Sequence, residues 1–144
     1  MALGDLDDDG YPELMVSRAT YGSAELFYGD GTGTLLSAGR VGLGRTAACA
    51  AGGDFDGDGN RDLAIGDWSD DSNQGIVRVA LGPISGAPTF GITIESATQE
   101  EFGYSIAAGD LDGDSIDDLV VGAPYNADGG TAAGAAFVFY GIGF

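Results

Sequence analysis

In 144 residues the chain carries 23 Asp and Glu against five Arg and no Lys, a formal net charge of -18, so no basic surface exists to displace phosphate counterions. Nucleic acid is thereby excluded as a partner, and cations are the natural ones. The absence of His and Lys removes imidazole metal ligands, Ser-His-Asp catalysis, P-loop phosphate binding and Schiff-base chemistry.

Comparison of the chain with itself divides it into three imperfect units, at about 1–42, 43–97 and 98–144, in one segment. The first opens on GDLDDDGYPELMV at 4–16, whose apolar end, Leu14 to Val16, predicts a strand. A polar, Gly-containing loop follows, then AELFYG at 24–29, and a further strand is expected at Thr34 to Ala38. The second unit repeats the order with GDFDGDGNRDLAI at 53–65, IVRVALG at 76–82 and the partly alternating TFGITIE at 89–95. The third has GDLDGDSIDDLVV at 109–121 and AAFVFYG at 135–141, and only three residues follow Gly141, so this unit is expected to lack its fourth strand. Helix is poorly supported, because 27 Gly interrupt every window and no apolar face persists at helical period. The expected fold is all-β, with four-stranded antiparallel repeats as the blades of a β-propeller. Propellers hold about four to eight blades, so three predict a fragment of a larger ring, a partner chain, or a homo-oligomer that completes it.

The acidic segments carry the chemistry. In the second loop Asp54, Asp56, Asp58 and Asp62 stand at positions 1, 3, 5 and 9, with Gly59 at 6 and the Asn60 carbonyl at 7. The matching sets are Asp5, Asp7, Asp9 and Glu13 with the Tyr11 carbonyl, and Asp110, Asp112, Asp114 and Asp118 with the Ile116 carbonyl. Four carboxylates within nine residues repel unless a cation compensates them. Oxygen donors without N or S favour calcium over zinc or copper, and a flexible loop favours it over octahedral magnesium; about three calcium ions are expected. An EF-hand begins alike but needs a Glu at position 12, where this chain has Val16, Ile65 and Val121. Ser115 replaces Gly at position 6 of the third loop, and the longer Glu13 replaces Asp at position 9 of the first. The middle site is therefore expected to be the most regular.

Phe102-Gly103, then Ser105 to Gly109, the third Asp loop, and Gly122-Ala123-Pro124 occur in order. This set resembles the FG-GAP repeat of integrin α-subunit propellers and related bacterial surface proteins. In the second unit Thr46-Ala47 and Gly66-Asp67-Trp68 take the flanking places; the first keeps only the loop and its strand. The resemblance implies a propeller with structural calcium between the first two strands of each blade. It also implies partners on the opposite face, here Tyr21, Trp68, Tyr125 and the connection from Ser96 to Glu101. The departure is repeat number, three against the integrin-like ring of seven.

The expected function is thus a non-enzymatic, calcium-stabilised module for adhesion or protein interaction in an extracellular or surface setting. Alternatives are a sugar-binding, lectin-like propeller, the accessory propeller of a larger surface enzyme, or a three-blade unit pairing into a six-bladed dimer. The start MALGDLDDDG has no signal-peptide pattern, and no apolar run approaches the roughly 20 residues of a membrane helix. The segment from Trp68 to Asn73, and Tyr125, could hold a sugar or peptide, against the plainer reading of solvated loops with one anchoring aromatic. Glu100 and Glu101 could form a glycosidic carboxylate pair, but neighbours on a strand point apart. Phe27, Tyr28, Phe137, Phe139 and Tyr140 are expected between blades. Arg18 and Arg61 are expected beside the acidic loops, and Cys49, among Ala47, Ala48, Ala50 and Ala51, as a packed small residue without a disulfide partner.

Overall fold

The computed structural model describes residues 2–18, 22–42, 49–70, 73–98 and 100–141. Tyr21, Thr46, Ala47, Ala48, Asp71, Ser72 and the three residues after Gly141 lie outside these, as does the side chain of Arg18. Eleven strands are formed and no helix among the described residues. The first sheet contains β1 (Ala2–Gly4), β2 (Glu13–Arg18), β3 (Ser23–Gly29) and β4 (Leu35–Gly42). The second contains β5 (Cys49–Gly53), β6 (Asp62–Asp67), β7 (Ile76–Ala80) and β8 (Ile92–Glu95). The third contains β9 (Ser105–Gly109), β10 (Asp118–Ala123) and β11 (Ala135–Phe139). Each strand pairs antiparallel with its neighbour in sequence, which is the up-and-down order of a propeller blade, and the third sheet has three strands, as expected.

Strand alternation sorts side chains between neighbouring sheets. Met15, Leu26 and Val41 of the first sheet meet Leu63, Ile65 and Ala80 of the second in one core. Ala64, Val77 and Val79, on the reverse side of the second sheet, meet Leu119, Val121 and Phe102 in another. Because the middle sheet is covered on both faces, every residue of β6 is buried, and between its terminal Asp62 and Asp67 the stretch Leu63 to Gly66 is without polar side chains rather than alternating. Phe137 and Phe139 join the second core edge-on to Phe102, with ring centroids 5.5 and 6.1 Å away. Tyr28 packs on the first core, its hydroxyl 2.6 Å from the Ile84 carbonyl oxygen. Two expected interior aromatics lie elsewhere: Phe27 pairs with Leu14 on the reverse face of the first sheet, and Tyr140 is exposed. Both belong to faces that no further sheet covers.

Backbone contacts fasten the sheets together. Ile84 N–H donates to the Leu6 carbonyl at 2.6 Å, and Asp117 N–H to the Asp54 carbonyl at 2.8 Å. Gly75 and Phe102 form an isolated parallel bridge. Gly66 has no room for a Cβ, which would collide with the Gly103 carbonyl. The Cys49 thiol donates to that same carbonyl at 3.2 Å, and burial pushes its pKa up to about 11 from 9.0. A raised thiol pKa favours the protonated form in the folded chain, so the linked stability is full below pH 9 and is lost as pH rises towards 11. Native protein at pH 8 should therefore resist iodoacetamide and react once unfolded in guanidinium; equal rates in both states would contradict this.

Candidate metal centres

The three acidic loops join β1 to β2, β5 to β6 and β9 to β10, so all lie at one end of the strands. Each is wound around its own carboxylates. The position 1 side chain accepts from the position 6 N–H, as Asp5 from Gly10 at 2.8 Å, Asp54 from Gly59 at 3.0 Å and Asp110 from Ser115 at 3.0 Å. The position 5 side chain accepts from the position 7 N–H, as Asp9 from Tyr11, Asp58 from Asn60 and Asp114 from Ile116, at 2.8 to 2.9 Å. To close these rings the backbone takes positive φ at position 4, through Asp8, Gly57 and Gly113, and at position 6, through Gly10, Gly59 and Ser115. Ser115 holds φ 74° where the other loops use Gly. Relieving a side chain of the left-handed region outweighs the added freedom of the unfolded chain. Ser115→Gly is expected to raise stability by about 1 kcal/mol in urea unfolding; a loss of stability would contradict this.

Position 9 has a second task. Asp62 accepts from Phe55 N–H at 2.7 Å with one oxygen and from Gly82 N–H at 2.8 Å with the other. Asp118 does the same with Leu111 at 2.8 Å and Gly141 at 3.0 Å. These carboxylates clasp the loop to the Gly two residues past the third strand of the sheet. A Cβ on Gly82 would strike the Arg61 carbonyl, and one on Gly141 the Ile116 side chain, which explains the Gly closing each of those apolar runs. Glu13 keeps half of the pattern: one oxygen accepts from Leu6 N–H, and the N–H of Gly29, the Gly that closes its apolar run, opposes the burial-driven rise in its proton affinity, while Oε1 is buried without a hydrogen bond of good geometry.

Three groups of carboxylates have oxygens within 4.8 Å of one another: Asp5, Asp7 and Glu13; Asp54, Asp56 and Asp58; Asp110, Asp112 and Asp118. The structure thus brings together three of the four expected carboxylates in each loop. The fourth, outside each group, is Asp9 in the first loop, Asp62 in the second and Asp114 in the third. Crowding is visible in the proton affinities. Burial, then the Asp9 and Asp5 charges, push Asp7 upward. Burial raises Glu13 against the opposing Leu6 N–H, with Asp7 and Asp5 adding to it. Burial likewise raises Asp62, opposed by Gly82 and Phe55 N–H and aided by Asp56 and Asp54. Asp58 is held below its ordinary value by the Asn60 backbone and side-chain N–H groups.

Arg61 flanks Asp62 in the second loop, as expected. Its guanidinium donates to the Gly52 carbonyl at 3.0 Å. Among the described residues the ion pairs are Arg78 with Asp70 at 2.7 Å and Arg40 with Glu25 at 3.7 Å, neither of them with an expected ligand. Among the described residues, then, no side-chain cation pairs with the clusters.

At the other end of the strands Trp68 lies tilted against Tyr104, ring centroids 5.9 Å apart, and Tyr125 is exposed. Glu100 and Glu101 belong to the loop between β8 and β9 rather than to a strand. Glu100 is buried, accepting from Ser96 Oγ and Asn126 Nδ2, each at 2.5 Å, beside a cleft of about 350 Å³. Sequence reasoning missed the tie to Asn126, because a contact across 26 residues leaves no local spacing to detect.

The FG-GAP repeat family matches residues 102–139, and the FG-GAP-like repeat family residues 5–65. Phosphatidylinositol-glycan-specific phospholipase D from Bos taurus and from Homo sapiens are each 30% identical over 167 residues, covering 97% of this chain and 20% of the relative. Integrin alpha-PS2 of Drosophila melanogaster is 43% identical over 76 residues, covering 53% of this chain and 5% of that protein. The chain therefore spans about a fifth of the length of the phospholipase relatives it matches.

Proposed function

Since the chain belongs to the FG-GAP repeat family, we propose that it is a calcium-binding set of propeller blades serving adhesion or protein interaction outside the cell. The observation that carries this reading is the threefold cluster of carboxylate oxygens, with no side-chain cation paired to them among the described residues; Glu13, in the first cluster, also has a buried Oε1 without a hydrogen bond. Such an oxygen costs about 1–3 kcal/mol when nothing meets it. The donor set fits a hard cation: every candidate side chain offers oxygen and none offers N or S. Asp5, Asp7 and Glu13, Asp54, Asp56 and Asp58, and Asp110, Asp112 and Asp118 would hold the ions.

A bound calcium would supply the positive charge that lets these carboxylates stay ionised side by side. The hydrogen bonds of positions 1 and 5 preshape each loop, and the position 9 clasp carries that order into the sheet. The opposite end of the blades, with Trp68, Tyr104 and Tyr125, is left for a partner. An exterior setting suits this division of labour, because sites of this kind in extracellular modules bind calcium at roughly 10⁻⁴ to 10⁻³ M. Asp56→Ala tests the assignment. It is expected to reduce the number of bound ions by one while leaving the metal-free fold nearly as stable, since it removes a repelling charge and no clasp. An unchanged ion count would refute the middle site.

A second reading follows from the phospholipase matches, which run along nearly all of this chain. In it the blades are the accessory part of a larger enzyme, and the chemistry resides outside these 144 residues. Both readings place no catalytic group in the blades themselves, in keeping with a sequence that lacks His and Lys.

A further inference from the structure

Asp117 stands at position 8 of the third loop, between Ile116 and Asp118, yet belongs to none of the three carboxylate groups. Its bonds run to the second loop instead. Its N–H donates to the Asp54 carbonyl at 2.8 Å, and its Oδ2 accepts from Asp54 N–H at 3.1 Å. Gly53 leaves space for that approach, since a Cβ there would lie 2.9 Å from the same Oδ2. Position 1 of the middle loop is thus held on both sides of its α-carbon by the loop of the next sheet. Asp54 in turn shapes its own loop, its two oxygens accepting from Gly57 and Gly59 N–H at 2.8 and 3.0 Å, and it is one of the three carboxylates of the middle cluster. The first and second loops meet differently. Position 8 of the second loop is Arg61, which lies against Gly4 and sends its guanidinium to the Gly52 carbonyl of its own sheet. A guanidinium only donates, so it cannot accept from Asp5 N–H as Asp117 accepts from Asp54.

Resting on the calcium reading above, we propose that Asp117 is a positioning residue that couples the middle and last centres, so that calcium in one tightens the hold of the other. An ion held by Asp110, Asp112 and Asp118 fixes the third loop, and with it residue 117. Asp54 then has less freedom left to lose when the middle ion binds. The coupling is reciprocal, because a free energy shared by two sites does not depend on the order in which they fill. Repulsion between the two ions acts in the opposite sense, so the sign of the coupling decides between the two effects. The first centre, met by Arg61, stands outside the pair.

Calcium titration of the 144-residue chain, followed by NMR through the Gly57 and Gly59 amides, reads the middle centre by itself. Asp112→Ala removes the last centre and is expected to weaken calcium at the middle one by about 5-fold, the lower end of couplings between sites. In an Asp117→Ala chain the same substitution should leave the middle centre unchanged. Asp117→Asn keeps an acceptor oxygen for Asp54 N–H and should restore the coupling, which neither the charge of Asp117 nor a general loss of stability would do. Asp7→Ala removes the first centre at the same cost in charge and should not alter the middle one. An Asp112→Ala chain that binds calcium at the middle centre as tightly as the wild type overturns the proposal, as does an equal weakening by Asp7→Ala or one that persists with Asp117→Ala; each leaves the calcium reading in place. A wild-type chain whose Gly57 and Gly59 amides do not respond to millimolar calcium defeats that reading and the proposal with it.

Discussion

Replacing Asp62 with alanine is expected to destabilise the metal-free chain by about 3 kcal/mol, an effect that only Asp118, with the same clasp, should match among the twelve expected ligand carboxylates. The side chain is fully buried, and its two oxygens accept from Phe55 N–H and Gly82 N–H. Each donor left unsatisfied costs about 1–3 kcal/mol, and the relief of repulsion from Asp54 and Asp56 offsets a part of that. Asp62→Asn keeps one acceptor and turns an amide N–H towards the other donor, so an intermediate loss is expected. Urea unfolding in EDTA measures both. Asp56→Ala under the same conditions should lose little, since it gives up only an exposed acceptor for Asp58 N–H, and the contrast separates a residue that clasps the loop to the sheet from one that holds the ion. A loss below about 0.5 kcal/mol for Asp62→Ala would show that the clasp contributes little.

Calcium itself is expected to have an effect of similar size, in the stabilising direction. A site at ten times its dissociation constant stabilises the fold by about 1.4 kcal/mol, so three sites together give about 4 kcal/mol. For a chain of this size that corresponds to a rise of roughly 10 °C in Tm. Magnesium should do less at equal concentration, because it requires octahedral geometry and dehydrates reluctantly. Scanning calorimetry in EDTA and in millimolar calcium measures the shift; coincident transitions would contradict it. The rise should be smaller in Asp56→Ala, which loses one site and keeps the fold.

Much of the fold was legible because repetition multiplies a weak signal. Three copies of an Asp-rich loop leading into an apolar triplet were enough to expect three antiparallel sheets, and the strands include those triplets, each beginning one residue earlier at Glu13, Asp62 or Asp118. Ser115 was legible as an exception because Gly stood in the other two loops, and its φ of 74° agrees. What spacing could not reveal is how one carboxylate divides its two oxygens. Asp62 and Asp118 occupy a ligand position by spacing, yet their partners at Gly82 and Gly141 are 20 and 23 residues away. The same distance hid the reason for the Gly after each third strand, a carbonyl or side chain of the acidic loop passing close by. Tyr140 was misplaced for a different reason. Composition marks it as a residue for burial, but burial requires a neighbouring sheet, and the sequence of one blade does not say whether the next is present.

The most direct measurement is a calorimetric titration of calcium into the metal-free chain. Binding of about three ions, with the loops saturating in the millimolar range, is the expected result. No binding at millimolar calcium would contradict it, and the acidic clusters would then be solvated turns with no ion to hold.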